Sequence, residues 1–226
     1  MPINSNSKVF FPVFFIFLLI PLLSFAEPHK SSMWEKSIKA YEVSDKTAFP
    51  QEGAALFVGS SSIAMWKTVA DDFAPITVIN RGFGGSWIRD SVKFCSRIIT
   101  PYKPSKIVFY AGENDIAAGE TPLTVTADFK RLERLIHQKL PETTIYFISI
   151  KPSPLRWDKW EKMQRANKLI RDFCESKKNV KFIDVASAML KTDSAVRTDI
   201  FLDDNLHMNA EGYKIWTGII KPLIEK

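Results

Sequence analysis

The sequence has few of the residues and patterns that hold metal ions, phosphates or nucleotides. It contains only two cysteines and three histidines among 226 residues, and none stands in a spacing typical of metal ligands. It has no phosphate-binding loop, and the segment Gly82-x-Gly84-Gly85 lacks the full glycine pattern of a dinucleotide fingerprint. Internal repeats and linker-like stretches are also missing. These absences predict a single domain whose chemistry needs no metal and no cofactor.

Neither sign of charge is concentrated along the chain. The 31 lysines and arginines outnumber the 25 aspartates and glutamates, which gives a formal net charge of +6. Basic stretches such as residues 130–134 fit solvated helix faces better than a nucleic-acid groove. With 46% hydrophobic residues, the composition fits one globular domain with an ordinary core. We therefore expect no nucleic-acid partner.

The one long apolar run lies at the amino terminus. Residues 9–25 are almost wholly apolar, and Ser24 and Ala26 place small residues at positions −3 and −1 of a cleavage site. This layout is typical of a secretory signal peptide. An uncleaved membrane anchor is the alternative, but two prolines inside the run favour cleavage. We therefore predict a signal peptide at 1–26, a mature domain at 27–226 without a stable membrane anchor, and a periplasmic or secreted protein.

Apolar runs alternate with amphipathic stretches along the rest of the chain. The runs have the length and apolar character of strands buried on both faces: 54–58, 75–80, 106–110, 143–150 and 180–185. Helices are predicted at 33–43, 63–67, 87–99, 124–140, 157–176 and from the N-cap Asn209 through Ile220, where Pro222 ends the last one. The alternation predicts a three-layer αβα fold with a five-stranded parallel sheet. Right-handed crossovers favour the flavodoxin-like strand order 2-1-3-4-5.

The two cysteines fall in different predicted helices. Cys95 and Cys174 would lie on one face of the sheet with a third helix between them. Helix axes are spaced about 8–10 Å apart, so two spacings exceed the roughly 7 Å between Cα atoms that a disulfide tolerates. We therefore expect two free, buried thiols.

The first predicted strand ends in Gly59-Ser60-Ser61-Ser62. A serine at this place lies at the carboxyl end of the sheet beside a helix amino terminus. Open α/β sheets bind ligands at that edge, and helix amino termini stabilise negative charge. The same residues are also typical of a solvated turn. Asn114 and the loop Asn80-x-Gly82-x-x-Gly85 follow neighbouring strands at the same edge, which a turn alone does not explain.

A serine nucleophile needs a general base, usually histidine. His29 lies near the predicted processed terminus, and His137 lies on the polar face of its helix. His207 remains, in a loop that follows the last strand and precedes the N-cap Asn209. Asp204, three residues earlier, is placed to accept the Nδ1 proton of His207.

Four blocks of the chain together resemble those of the SGNH (GDSL-type) hydrolases, and they occur in that family's order. They are Gly59-Ser60-Ser61-Ser62, Asn80-x-Gly82-x-x-Gly85, Gly112-Glu113-Asn114-Asp115 and Asp204-x-x-His207. Within the family, the chain looks most like the platelet-activating-factor-acetylhydrolase-like and lysophospholipase-type members. The resemblance implies a compact α/β esterase.

The resemblance also implies a role for each matching residue. Ser61 matches the nucleophile, His207 the base and Asp204 its orienting partner. The backbone N–H of Gly85, the side-chain amide of Asn114 and the N–H of Ser61 match the donors of the oxyanion hole. One position departs from the family pattern, because Ser60 stands where the family usually has aspartate, so the local hydrogen bonding of this loop must differ.

Residues that follow other strand ends are predicted to line the substrate cleft: Phe83, Trp87, Arg156 and Trp157. Tryptophan in a helix is also commonly a core residue. The function expected first is an exported serine esterase that acts on a small-molecule, lipid or glycan ester, with acetyl, short-chain or lysophospholipid-type substrates. The alternatives are a carbohydrate O-acetyl esterase or acyltransferase of the cell envelope, and a non-catalytic glycan- or lipid-binding protein that uses the same cleft.

Overall fold

Five parallel strands form the central sheet of the computed structural model, which describes Met1, residues 31–192 and residues 195–225. They are β1 (Ala55–Gly59), β2 (Val78–Gly82), β3 (Lys106–Tyr110), β4 (Thr144–Ile148) and β5 (Val180–Ile183). The order across the sheet is β2-β1-β3-β4-β5, which confirms the predicted topology. A separate antiparallel pair is formed by β6 (Leu190–Thr192) and β7 (Ala195–Val196).

Helices cover both faces of the sheet. They are α1 (Glu35–Thr47), α2 (Ser61–Ala64), α3 (Val69–Asp72), α4 (Ile88–Ile98), α5 (Glu113–Ala117), α6 (Pro122–Lys139), α7 (Trp160–Glu175) and α8 (Ala210–Ile224). Alternate side chains of β1 point to opposite faces: Leu56 and Val58 pack in the core beneath α1, α4, α6 and α7, while Ala55 and Phe57 pack beneath α2, α3 and α8. Two buried faces explain why the strands read as continuous apolar runs.

The strand register brings three strand ends to one level. Gly59 at the end of β1 is paired with Gly82 at the end of β2 and with Tyr110 at the end of β3. The segments that leave these strands therefore start side by side at one edge of the sheet. This edge is where the predicted site residues are expected to meet.

Two of the predicted element boundaries differ from the structure for clear physical reasons. The second strand begins at Val78 rather than at Pro75, since proline has no N–H for the strand ladder. Pro222 lies inside α8 instead of ending it. The helix continues to Ile224, which is fully buried, and burial of such a side chain is worth about 1.5–3 kcal/mol. This gain offsets much of the roughly 3 kcal/mol that proline costs inside a helix.

Cys95 on α4 and Cys174 on α7 are free and buried, as predicted. Helix α6 lies between their helices and packs against both. Burial raises the pKa of the Cys95 thiol to about 11 and that of Cys174 to about 12. Both thiols are therefore protonated and poorly reactive at neutral pH.

Residues 31–226 make up one compact unit. The predicted signal peptide, apart from Met1, and His29 lie outside the described residues. Within the part of the chain that the structure describes, no helix has both the length and the apolar character needed to cross a membrane.

Candidate active site

Ser61 lies where β1 passes into α2. Gly59 ends the strand with a φ of +134°, and a Cβ atom there would stand 1.9 Å from the Tyr110 carbonyl oxygen, so only glycine fits. The backbone N–H of Ser60 donates to that same carbonyl at 2.8 Å. The chain then turns, and Ser61 is the first residue of α2. The first N–H groups of a helix have no partner within the helix, so the Ser61 amide is available to a ligand.

His207 reaches this serine from the far end of the chain. Its Nε2 lies 3.1 Å from Ser61 Oγ, and its Nδ1 lies 2.6 Å from Asp204 Oδ2. The other carboxylate oxygen of Asp204 accepts the backbone N–H groups of Leu206 and His207, both at 2.9 Å. On the following residues, Asn209 caps α8 by accepting from two amides of its first turn. The imidazole is therefore held at both of its nitrogens.

The hydrogen bond from His207, together with its backbone N–H, lowers the pKa of Asp204 to about 2. This carboxylate is ionised throughout the neutral range. An ionised carboxylate at Nδ1 fixes the tautomer in which Nε2 faces the serine as an acceptor. The arrangement can therefore take a proton from Ser61 Oγ and stabilise the imidazolium that results.

Asn114 begins the other side of the site, in the first turn of α5. Its Nδ2 donates to Ser60 Oγ at 2.8 Å and to the Ser86 carbonyl at 3.1 Å. Ser60, at the position that departs from the family pattern, thus provides the hydroxyl that orients this amide. The side-chain hydrogen bond of the residue at this position is therefore the one that it accepts from the Asn114 amide.

The loop after β2 passes along Ser61. A Cβ atom added to Gly84 would lie 3.9 Å from Ser61 Cβ, and Gly85 is exposed with a φ of +75°. Trp34 Nε1 donates to the Gly84 carbonyl at 2.6 Å, which holds the loop from the outside. The predicted site residues from β1, β2, β3 and the last loop therefore meet at one edge of the sheet.

Asp115, which follows Asn114, ties this loop to α5. Its Oδ1 accepts the backbone N–H of Ile88 at 3.0 Å, at the start of α4. Burial raises the pKa of Asp115 to about 7. The contact fixes the start of α4, and with it the Gly85 loop, against the helix that carries Asn114.

Of the predicted cleft residues that follow β2, Phe83 is buried and Trp87 is partly exposed. Phe83 is only 1% exposed and packs edge-to-face on Trp34 and Phe94. The prediction that Phe83 lines the cleft is therefore wrong, because its ring belongs to the hydrophobic core. Trp87 is partly exposed, with the Arg89 guanidinium carbon 4.2 Å from the ring centroid.

Arg156 and Trp157 lie in the 3₁₀ segment Pro154–Lys159, ahead of the start of α7. Both are partly exposed. Trp157 stacks on Trp160 with ring centroids 6.1 Å apart. Arg156 Nη1 lies 3.5 Å from Glu113 Oε1. This segment contacts the loop of His207, because the Leu155 N–H donates to the Asn205 carbonyl at 3.0 Å.

A buried ionic cluster next to the site escaped the sequence analysis. Glu113 is 5% exposed and Lys151 is 0% exposed, and Lys151 Nζ lies 3.0 Å from Glu113 Oε2. Tyr110 Oη and Ser153 Oγ donate to the same carboxylate at 2.7 and 3.0 Å. The cluster reaches the base loop, since Lys151 Nζ donates to the Leu206 carbonyl at 2.8 Å. The available signal was a pair of opposite charges, each three positions after the end of one of two adjacent strands.

Burial acts in opposite directions on the pKa values of the two charged groups. Burial by itself raises the pKa of Glu113, but the nearby Lys151 and Arg156 charges outweigh it and the pKa lies below its usual value. Burial lowers the pKa of Lys151, and the Glu113 charge opposes that effect only in part. The carboxylate of Glu113 is ionised at neutral pH.

No group of three or more His, Cys, Asp or Glu residues in the described part of the chain is arranged to hold a metal ion.

A three-layer α/β fold that gathers a serine, a histidine, an aspartate and amide donors at the carboxyl edge of its sheet defines a class of ester-cleaving hydrolases. The comparison with known families agrees with this class. Residues 54–215 match the model of the GDSL-like Lipase/Acylhydrolase family. The chain belongs to this family, and the protein is an enzyme that hydrolyses esters.

Solved structures share the fold at low sequence identity. A GDSL-like lipase from Bacteroides thetaiotaomicron is 21% identical with a TM-score of 0.74, over 83% of this chain and 97% of that chain. An acetylxylan esterase from Geobacillus stearothermophilus is 15% identical with a TM-score of 0.62, over 77% and 95%. A carbohydrate esterase family 3 protein from Talaromyces cellulolyticus is also 15% identical with a TM-score of 0.62, over 76% and 96%. No curated protein matches the sequence.

Proposed function

We propose that the protein is an exported serine esterase that hydrolyses small acyl esters through an acyl-enzyme on Ser61. The observation that carries the proposal is the continuous hydrogen-bonded series from Ser61 Oγ through His207 to Asp204, with distances of 3.1 and 2.6 Å. The serine in this series begins a helix, and Asn114 is anchored to its neighbour Ser60. Such a series activates a hydroxyl that is otherwise a weak nucleophile.

In the first half of the reaction, His207 Nε2 takes the proton of Ser61 Oγ as that oxygen bonds to the ester carbonyl carbon. The carbonyl oxygen becomes an anion, and the imidazolium is stabilised by the Asp204 carboxylate. When the tetrahedral intermediate collapses, the bond to the alcohol oxygen breaks and His207 returns the proton to that oxygen. The alcohol leaves, and the acyl group remains on Ser61.

In the second half, water replaces the alcohol. His207 takes a proton from water as the water oxygen bonds to the acyl carbon, and a second oxyanion forms. Cleavage of the bond to Ser61 Oγ releases the acid, and the proton on His207 restores the serine hydroxyl. The site is then ready for another ester, with no net change in the enzyme.

Three donors are proposed for the oxyanion: the backbone N–H groups of Ser61 and Gly85 and the side-chain amide of Asn114. Each donor of this kind typically contributes about 3–4 kcal/mol to the transition state. Both amide protons of Asn114 have partners in the structure, Ser60 Oγ and the Ser86 carbonyl. We expect the Asn114 amide to exchange its hydrogen bond with the neutral Ser60 hydroxyl for one with the developing oxyanion, because hydrogen bonds to charged acceptors are about twice as strong.

Substrate contacts are proposed for Trp87, Arg156 and Trp157. All three are partly exposed. The Arg156 guanidinium makes one ion pair of 3.5 Å with Glu113 among the described residues, so its remaining N–H groups are free to bind oxygen atoms of an ester substrate.

Replacement of Ser61 by alanine tests the proposal. Ser61→Ala is expected to abolish hydrolysis of p-nitrophenyl acetate and labelling by a fluorophosphonate probe. Ser62→Ala is the matched control, because Ser62 is the buried next residue in the same helix, and it is expected to keep both activities. Turnover retained by the Ser61 variant would refute the assignment. A non-catalytic binding protein would bind its ligand without any labelling of the wild type.

A second candidate function is removal of acetyl groups from carbohydrate. Two of the structural neighbours are an acetylxylan esterase and a carbohydrate esterase, and partly exposed tryptophans of the kind found at Trp87 and Trp157 commonly stack against sugar rings. Acetate release from acetylated xylan, compared with p-nitrophenyl esters of two to twelve acyl carbons, separates this activity from hydrolysis of simple or lipid esters. Acyl transfer would appear as an acylated sugar product when an acceptor glycan is added.

Export is proposed from the apolar amino-terminal segment. Cleavage after Ala26 would leave Glu27 as the first residue. Amino-terminal sequencing of the exported protein is expected to begin at Glu27. Protein that still begins at Met1 and sediments with membranes would favour the uncleaved anchor.

A further inference from the structure

Lys151 occupies an unusual place between the two halves of the candidate site. Among the lysines that the structure describes, it is the only one that is buried. Its ammonium group lies between the carboxylate of Glu113, the residue before Asn114, and the carbonyl of Leu206, the residue before His207. One buried cation therefore connects the oxyanion side of the site to the base side.

Stability alone is a weak reason for such a pair. Removing two charges from water costs several kcal/mol per ion, and apolar replacements of buried ion pairs are often neutral or stabilising. The Lys151–Glu113 pair is fully enclosed, and its carboxylate also receives Tyr110 Oη and Ser153 Oγ. The Lys151 ammonium group, held firmly by this carboxylate, is suited to fix the position of the Leu206 carbonyl, to which it donates a hydrogen bond.

We propose that Lys151 is a positioning residue for ester hydrolysis: clamped by Glu113, its ammonium group holds the Leu206 carbonyl and thereby sets His207 against Ser61 and Asn114. The proposal rests on the proposed function. It adds a role for Lys151 and Glu113 that the resemblance to the family does not supply.

The loop that carries the imidazole begins and ends at buried residues, Phe201 and Met208, but between them it makes few hydrogen bonds to the body of the fold among the described residues. The loop from residue 202 to residue 207 is closed internally, since the Leu202 N–H donates to the His207 carbonyl at 2.8 Å. It is attached to the segment after β4 at Asn205, through the Leu155 N–H, and at Leu206, through Lys151. Loss of the second attachment leaves His207 free to drift from Ser61. Misplacement by about 1 Å can cost on the order of 100-fold in rate.

The charge of Lys151 also acts on the site. The charged groups that face the ammonium are Glu113 from α5, Arg156 from the segment after β4 and Asp204 from the base loop. Removal of the ammonium leaves Arg156 as the cation that pairs with Glu113 among the described residues, and it makes the surroundings of the base loop more negative. Removal of the Glu113 charge leaves the ammonium unbalanced and has the opposite effect. The two single variants should therefore move the pH dependence of the reaction in opposite directions.

The experiment compares Lys151→Met, Glu113→Gln and the double variant with the wild type and with Lys159→Met. Lys159 is a partly exposed lysine from the same segment whose ion pair among the described residues is with Asp158, and it serves as the matched control. For each protein, kcat and KM for p-nitrophenyl acetate are measured from pH 5 to pH 9, with urea unfolding as the check on folding. The double variant removes both buried charges together, so it avoids an unpaired charge in the core.

The double variant and Lys151→Met are expected to lose on the order of 100-fold in kcat, with KM within about twofold of the wild type. The acid limb of kcat/KM reports the general base. It should move to higher pH in Lys151→Met, which removes a positive charge, and to lower pH in Glu113→Gln, which removes a negative one. Lys159→Met should match the wild type throughout.

A folded double variant with wild-type kcat would overturn the proposal, as would acid limbs that do not move in the single variants. Failure of both Lys151 variants to fold would assign the cluster to stability and would overturn it too. Failure of the proposed function looks different, because the wild type itself would then neither hydrolyse the ester nor label with the fluorophosphonate.

Discussion

Asn114 is the residue whose replacement separates transition-state stabilisation from binding most directly. Alanine at this position removes the side-chain donor and leaves Ser61, His207 and Asp204 unchanged. We expect kcat to fall by about 10²–10³-fold, or roughly 2.7–4 kcal/mol. KM should change little, because the amide bonds most strongly to the charge that develops in the transition state.

The same change has a calculable effect on stability. Asn114 donates to Ser60 Oγ and to the Ser86 carbonyl at 2.8 and 3.1 Å. Each such bond contributes about 0.5–1.5 kcal/mol net, so the free energy of unfolding should fall by about 1–3 kcal/mol. For a domain of this size, 1 kcal/mol corresponds to about 2–4 °C in Tm. The variant should therefore melt roughly 2–12 °C below the wild type and remain folded at 25 °C.

A control with a similar loss of stability isolates the catalytic effect. Thr143 Oγ1 donates to the Pro104 carbonyl at 2.7 Å in a buried position at the opposite edge of the sheet. Thr143→Ala should lower Tm and keep wild-type kcat. The assay is kcat and KM for p-nitrophenyl acetate at 25 °C, with Tm from thermal unfolding. A loss confined to KM, or a kcat within threefold of the wild type for Asn114→Ala, would refute the assignment of this amide to the oxyanion.

Two further carboxylates give predictions of different kinds. Asp204→Asn should lower kcat by roughly 10³–10⁴-fold, because an amide no longer fixes the required imidazole tautomer. The free energy of unfolding in urea should change little, since the Asp204 side chain is 46% exposed. A large loss of stability alongside the loss of kcat would contradict this prediction. Burial raises the pKa of Asp115 from 3.8 to about 7. Between these pH values the unfolded chain has released this proton, while the folded protein still holds it. Stability therefore falls as pH rises through that range. Asp115→Asn should flatten this fall in urea unfolding at pH 4.5 and pH 7.5, and an unchanged slope would count against it.

The sequence was sufficient to predict the strand order and the meeting of Ser61, Asn114 and His207. Buried parallel strands leave a strong apolar pattern, and residues that directly follow adjacent strands must lie near one another. Phe83 shows that the same reasoning does not predict the direction of a side chain. Its backbone N–H continues the ladder by donating to the Gly59 carbonyl at 2.8 Å, and the strand geometry then turns its ring into the helix layer. A loop position alone does not give the direction of a side chain.

The Glu113–Lys151 pair was missed for a related reason. Each residue lies three positions after the end of its strand, β3 or β4, and the predicted order already places these two strands side by side. Buried lysine and glutamate are rare, so the sequence alone does not predict a buried charge at either position. Only the packing of Tyr110, Ser153 and Phe201 around them makes burial of the charges possible.

The strand order gives a reason for the place of this pair beside the site. Ser61 leaves the second strand across the sheet, β1, and its neighbours β2 and β3 carry Gly85 and Asn114 directly beside it. His207 instead follows β5, which is separated from β1 by two strands, so its loop must return across the ends of β4 and β3 to come within 3.1 Å of Ser61. The residues after those two strands are the supports available beneath that path, and they supply Lys151 and Glu113. The proposed role of the buried ion pair is to support the base loop where the loop crosses these two strand ends.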